Sequence, residues 1–131
     1  MKIAMGPEPD QIQALMNGPA DTPLVMVNLL RFKQQADAPG EKISGQEAYG
    51  RYAARMREIV ETSGGRFLWA GRVDSHVVGR SDTDFDVIAL VEYPSRAAFA
   101  KITTTPEFRE ISAHRSAGLE GQWLIAATSV S

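Results

Sequence analysis

Few residues in this chain have the types and spacing that chemistry requires. Asn28 interrupts the apolar run LVMVNLLRF, and a buried amide must find hydrogen-bond partners or cost free energy. Its amide either orients a ligand or ties its strand to a neighbouring loop. Glu110 and His114 are four residues apart, which places them on one helix face, where the carboxylate raises the proton affinity of the imidazole. We predict Asn28 and His114 as the catalytic residues if the protein is an enzyme; the alternative for His114 is a solvated surface pair.

Three further side chains are predicted to bind a ligand. Trp69 would form the wall of a pocket for a planar group, although a tryptophan on a strand also serves as core or interface. Arg72 and Arg115 would bind a carboxylate at the pocket mouth, with Arg31 as a third candidate, although arginines also serve as ordinary surface charge. These residue types favour a small aromatic or carboxylated ligand.

Several kinds of site are not predicted. The chain has no cysteine, which excludes disulfides, thiol catalysis and cysteine-ligated zinc. Asp74 and His76 share one strand face, but no third side chain lies at a spacing typical of metal ligands, so no metal site is expected. Glycine-rich phosphate loops and hydrolase motifs are absent, and no cofactor is predicted.

Composition limits the class of protein. The 131 residues carry 14 basic and 16 acidic side chains and a formal charge of −2, so no basic surface for nucleic acid is expected. No apolar run approaches the roughly 20 residues of a membrane helix, and the N-terminus lacks the apolar centre of a signal peptide. We expect one domain spanning residues 1–131, in the cytoplasm, with neither nucleic acid nor membrane as partner.

The first half of the chain predicts two helices and a strand. Residues 8–17 have helical spacing of apolar side chains and lie in an N-terminal helical extension, residues 1–22. In residues 24–32 both the odd and the even positions are mostly apolar, as in a strand buried on both faces. The longest helix starts at a capping box formed by Ser44 and Glu47 and ends at Gly64-Gly65.

The second half predicts the remaining strands and helices. RFLWAGRVDSHVVG, residues 66–79, is expected to form a long strand with Phe67 and Trp69 on one side. Residues 87–93 form a second strand that is apolar on both faces. Ser95 and Thr105 are expected to cap two short helices, and GQWLIAAT forms the last strand.

This order of elements specifies an α+β fold. Without the extra N-terminal helix it is the ferredoxin-like β-α-β-β-α-β arrangement, with an antiparallel sheet and helices on one side. Three strands are apolar on both faces, so the other side of the sheet would expose more apolar surface than a monomer tolerates. We therefore predict a homodimer in which a second copy covers this side, as in a dimeric α/β barrel; the alternative is that the N-terminal helix covers it.

The chain also resembles a known family. GGRFLWAG, VEYPSRAAF and TPEFRE, followed by Arg115, resemble the family catalogued as domain of unknown function 1330, over about residues 24–128. The resemblance implies the dimeric α/β-barrel superfamily, which includes cofactor-free monooxygenases, isomerases and regulatory domains. Oxygenases of this fold place an Asn, a Trp and a Tyr or His around the substrate, and the matching types here are Asn28, Trp69, Tyr52 and His114. Tyr52 is on that ground predicted to bind ligand.

Two functions remain open. The protein is either a cofactor-independent oxygenase or isomerase, or a non-catalytic module that binds a small molecule or a partner. Under both hypotheses, the partners are a second copy of the chain and a small ligand in a pocket between sheet and helices.

Overall fold

The protein is an α+β fold with one four-stranded sheet, seen in a computed structural model that describes residues 2–130. The elements in chain order are α1 (Pro9–Met16), β1 (Leu24–Phe32), α2 (Gly45–Thr62), β2 (Arg66–Arg72), β3 (Val87–Tyr93), α3 (Arg96–Thr103), α4 (Pro106–Gly118) and β4 (Leu119–Ala127). The sheet has the order β2-β3-β1-β4, and all of its pairs are antiparallel. The predicted ferredoxin-like arrangement is confirmed.

Local side-chain chemistry sets the helix starts. The hydroxyl of Ser44 accepts the backbone N–H of Glu47 at 3.0 Å, and the hydroxyl of Ser95 accepts that of Ala98 at the same distance. The hydroxyl of Thr105 likewise accepts an N–H of the first turn of α4. Each oxygen satisfies an amide that a helix end leaves without a partner. All three predicted caps are confirmed.

The core lies between the helices and one face of the sheet. Its buried residues are Leu24, Met26, Tyr52, Met56, Val60, Val91, Tyr93, Ile102 and Ile111. Strand pairing places every second residue of β1 and β3 on this side, since Leu24 lies opposite Tyr93 and Met26 opposite Val91. We call it the helix face of the sheet.

The other side, which we call the open face, is apolar. Its residues are Val25, Val27, Leu29, Trp69, Ile88, Leu90, Trp123 and Ile125. Trp69 is 57% exposed and Ile125 is 47% exposed. The alternative that α1 covers this face is wrong: α1 packs beside α3, and its Leu15 contacts the core on the helix side.

Two predictions about β2 are wrong. The strand ends at Arg72, not at residue 79, because Arg72 lies opposite Val87, where β3 begins, and the residues beyond have no strand to pair with. A bulge between Phe67 and Trp69 also changes the side-chain alternation. Phe67 lies opposite Val91 and packs on the core, whereas Trp69 lies opposite Leu90 on the open face.

Candidate functional site

Asn28 lies on the helix face in the middle of β1. Its Nδ2 group donates to the carbonyl oxygens of Met26 and Ala89, both at 3.3 Å. The amide nitrogen is therefore bonded to the sheet itself, rather than to a loop. Among residues 2–130 no donor reaches its Oδ1 atom, which stays free to accept.

Gln122 is a second carboxamide on the helix face, and the sequence analysis missed it. Its Oε1 atom is buried and has no hydrogen-bond partner among the described residues. Asn28 lies opposite Leu124 and Leu30 opposite Gln122, so the two amides are diagonal neighbours across β1 and β4. The sequence gives a weaker signal for Gln122 than for Asn28, because Gln122 precedes the apolar run of β4, whereas Asn28 interrupts that of β1.

Aromatic rings from β1, α2 and α4 form a row on the helix side of the sheet. Ring centroids are 5.3 Å apart for Phe32 and Tyr49, 5.3 Å for Tyr49 and Tyr52, and 6.2 Å for Tyr52 and Phe108. This row connects the end of β1 with α2 and α4. It supplies apolar faces that suit the body of a small organic molecule.

Arg115 of α4 lies close to both tyrosines. Its charge acts to lower the pKa of Tyr49 and of Tyr52, but burial outweighs it and raises the pKa of both phenols. Arg115 is half-buried, and within residues 2–130 it makes no ion pair or side-chain hydrogen bond. A guanidinium without a counter-ion beside neutral phenols suits the carboxylate of a ligand.

The tyrosines predict a loss of stability at alkaline pH. Burial raises the pKa of Tyr49, Tyr52 and Tyr93, so above pH 10 the unfolded chain gives up protons that the folded chain keeps. We therefore expect the free energy of unfolding to fall as pH rises above about 10, by up to about 1.4 kcal/mol per pH unit for each tyrosine. Urea unfolding at a series of pH values measures this slope.

A spectrophotometric titration provides the control. The chain has three tyrosines and all three are in this group, so the tyrosinate absorbance reports them alone. Native protein should titrate later than protein in urea. Coincident curves would contradict the burial of the phenols.

His114 and Glu110 lie four residues apart on α4, as predicted. Their side chains form no ion pair or hydrogen bond within the described part of the chain. His114 also acts on Glu41 in the loop before α2, because the pKa of Glu41 is lowered mainly by Arg51 and further by the charge of His114. The catalytic role of His114, like that of Asn28, stays a prediction.

Trp69 and Arg72 also lie away from Asn28. Trp69 is on the open face, on the opposite side of the sheet. Arg72 borders a cleft of 480 Å³ at the end of the sheet, next to Phe32, Lys33 and Phe85. Of the six predicted site residues, the structure thus places Asn28, Tyr52 and Arg115 in the layer between the sheet and the helices.

Residues 2–130 contain no group of three or more His, Cys, Asp or Glu side chains that could hold a metal ion. No helix in this range is long and apolar enough to cross a membrane.

Crystal structures provide close relatives of the fold. A protein of unknown function from Rhodopseudomonas palustris is 28% identical over 99% of each chain, with a TM-score of 0.87. The methylated form of that protein is 30% identical over 100% of this chain and 98% of its own, also with a TM-score of 0.87.

A more distant relative shows the fold alone. It is a Dabb-family protein with a ferredoxin-like fold from Mesorhizobium loti, 14% identical over 83% of this chain and 98% of its own, with a TM-score of 0.54. No curated protein matches this chain.

A family model matches most of the chain. The match covers residues 40–128, from the loop before α2 to the end of β4. The resemblance seen in the sequence covered residues 24–128, whereas the family model starts at residue 40 and therefore does not include β1. The chain belongs to the family described as domain of unknown function (DUF1330), and its fold is ferredoxin-like.

Proposed function

We propose that this protein binds a small organic acid between the helix face of its sheet and helices α2 and α4. The observation that carries the proposal is Arg115, a half-buried cation that pairs with no other described residue. The carboxylate of the ligand pairs with this guanidinium, and its apolar body lies against Tyr49 and Tyr52.

The free amide oxygens narrow the class of ligand. Asn28 and Gln122 present acceptors on the same face, so the ligand carries a hydroxyl or N–H donor besides its carboxylate. An aromatic hydroxy acid such as mandelate satisfies both requirements.

The same geometry favours binding over catalysis. Tyr49 and Tyr52 have raised pKa values and stay protonated at neutral pH, so they are hydrogen-bonding groups rather than bases. His114 forms no hydrogen bond or ion pair with a described residue that would orient it as a general base. A non-catalytic ligand-binding module is thus better supported than an oxygenase or isomerase.

Mandelate binding tests the proposal. At a concentration of about 100 times its Kd, a ligand specific for the native state stabilises the fold by about 2.7 kcal/mol. Arg115→Gln removes the charged hydrogen bonds to the carboxylate, so we expect a Kd about ten- to a hundredfold higher. Thermal unfolding and isothermal titration calorimetry measure the two quantities.

The control is a second arginine on the same helix. Arg109 is exposed on α4, and Arg109→Gln should leave the Kd unchanged. Benzyl alcohol, which keeps the ring and hydroxyl but lacks the carboxylate, should bind weakly to all three proteins. Equal mandelate affinity in the Arg115 and Arg109 variants would refute the role of Arg115.

We further propose that the protein is a homodimer joined through the open face. The support is the row of apolar side chains on all four strands, with Trp69 and Ile125 about half exposed in one protomer. A second copy presents the same residues around a two-fold axis, so both apolar faces are buried together. Phe85 packs on Trp123 of the open face and also borders the cleft at Arg72, so the cleft adjoins this interface.

A further inference from the structure

Arg96 is a buried cation that the ligand site does not use. It is the first residue of α3, only 8% exposed, and on a different helix from Arg115. Among residues 2–130, no carboxylate forms an ion pair with it. A charged group removed from water without a counter-ion is unfavourable, so it requires an explanation.

Most of the hydrogen-bond donors of Arg96 are unused. Nη2 donates to the hydroxyl of Thr128 at 3.3 Å, whereas Nε and Nη1 are buried and have no partner among the described residues. A guanidinium has two edges on which paired N–H groups can hold two oxygens of one anion. One edge pairs Nε–H with one N–H of Nη2, and the other pairs an N–H of Nη1 with the second N–H of Nη2. Thr128 accepts from only one N–H of Nη2, so the other edge keeps both of its donors.

The end of α3 adds to the attraction for an anion. Arg96 stands at the N-terminus of this helix, where the backbone N–H groups of the first turn are not used within the helix. The hydroxyl of Ser95 accepts from Ala98, which leaves the N–H groups of Arg96 and Ala97 without an acceptor in the described chain. The N-terminus of α3 and the guanidinium of its first residue therefore both attract an anion.

Gly18 covers the guanidinium. A Cβ atom on Gly18 would lie 2.3 Å from Nε and from Nη2 and 2.4 Å from Cζ, so a side chain here would displace either the guanidinium or its cover. Gly18 directly follows Asn17, the C-cap of α1, and none of the residues of α1 is fully buried. The cover over Arg96 thus belongs to an element with little of its own surface in the core.

We propose that Arg96 anchors a binding site for a small oxyanion, a carboxylate or a phosphate, which opens when α1 and Gly18 move away from α3. The anion accepts from the free guanidinium edge and from the end of α3. Binding therefore favours the conformation with α1 released. The site is independent of the organic-acid site at Arg115.

Titration of the native protein with oxyanions tests the site. We expect the NMR signal of the Nε–H group of Arg96 to shift saturably with inorganic phosphate, with formate, or with both, and not with chloride at the same ionic strength. A response to one oxyanion identifies the class that binds. Amides of residues 9–18 should exchange faster in the saturated protein. No response, or an equal response from the exposed Arg66, would overturn the proposal.

Two variants test the two parts of the site. Arg96→Lys removes the paired N–H groups but keeps the charge, so phosphate or formate affinity should fall about tenfold or more, whereas Arg66→Lys should not change it. Gly18→Ala leaves no room for the guanidinium against its cover and separates the two, so affinity should rise. If Arg96→Lys fails to fold, the Gly18→Ala variant still tests the proposal. Unchanged or weaker binding of phosphate and formate by Gly18→Ala would contradict a site that opens by release of α1.

Discussion

Replacing Leu90 with glutamate is expected to convert the proposed dimer to a monomer. Leu90 lies near the middle of the open face, opposite Val27 on β1 and Trp69 on β2. In a two-fold interface the variant places two carboxylates in an apolar contact, where each loses its hydration without gaining a partner. We expect the dimer Kd to rise at least about a hundredfold, which corresponds to about 2.7 kcal/mol. Sedimentation equilibrium measures it directly.

A matched substitution separates dimerisation from general surface effects. Ile12 is 49% exposed on α1, on the helix side of the molecule, so Ile12→Glu should leave the dimer intact. The Leu90→Glu monomer should keep its helical and sheet content, because its new side chain faces water. A wild-type protein that sediments as a folded monomer at micromolar concentration would remove the dimer proposal.

Replacing Gly118 with alanine is expected to cause the largest loss of stability. Helices α2 and α4 cross where Gly45 meets Gly118, and a Cβ atom on Gly118 would lie 2.1 Å from the carbonyl oxygen of Gly45 and 2.7 Å from the backbone nitrogen of Tyr49. These obstacles are backbone atoms, which cannot rotate away as a side chain can. Overpacking of this kind costs about 3 kcal/mol, and we expect the melting temperature to fall by about 10 °C.

Gly50 provides the control for this prediction. It also lies in α2, but a Cβ atom there would meet nothing within 4 Å. Gly50→Ala should stabilise the helix by about 0.5–1 kcal/mol, because alanine loses less conformational entropy in a helix. Chemical denaturation of both variants measures the difference, and similar losses in both would contradict the close helix crossing.

The predicted site residues were only partly brought together. Asn28, Tyr52 and Arg115 belong to the same layer, but Trp69 is on the other side of the sheet. The bulge after Phe67 causes this difference, since one extra residue reverses the alternation of every later side chain in β2. Simple alternation along the sequence contains no sign of where a bulge occurs.

The sequence by itself determined the elements and their order. The predicted limits of β1 and β3 match the structure, and Ser44, Ser95 and Thr105 cap helices as expected. These features depend on hydrophobic period and on hydrogen bonds between residues three positions apart, which are local properties of the chain.

Only the tertiary structure decided which distant groups meet and which remain without partners. It placed Gly45 against Gly118 and Gly18 against Arg96. It also left Oε1 of Gln122 and the Nε and Nη1 donors of Arg96 buried and without a partner among residues 2–130. The physical reason is that these relations arise from the packing of segments far apart in the chain, where burial and distance, not residue type, set the free energy of each polar group.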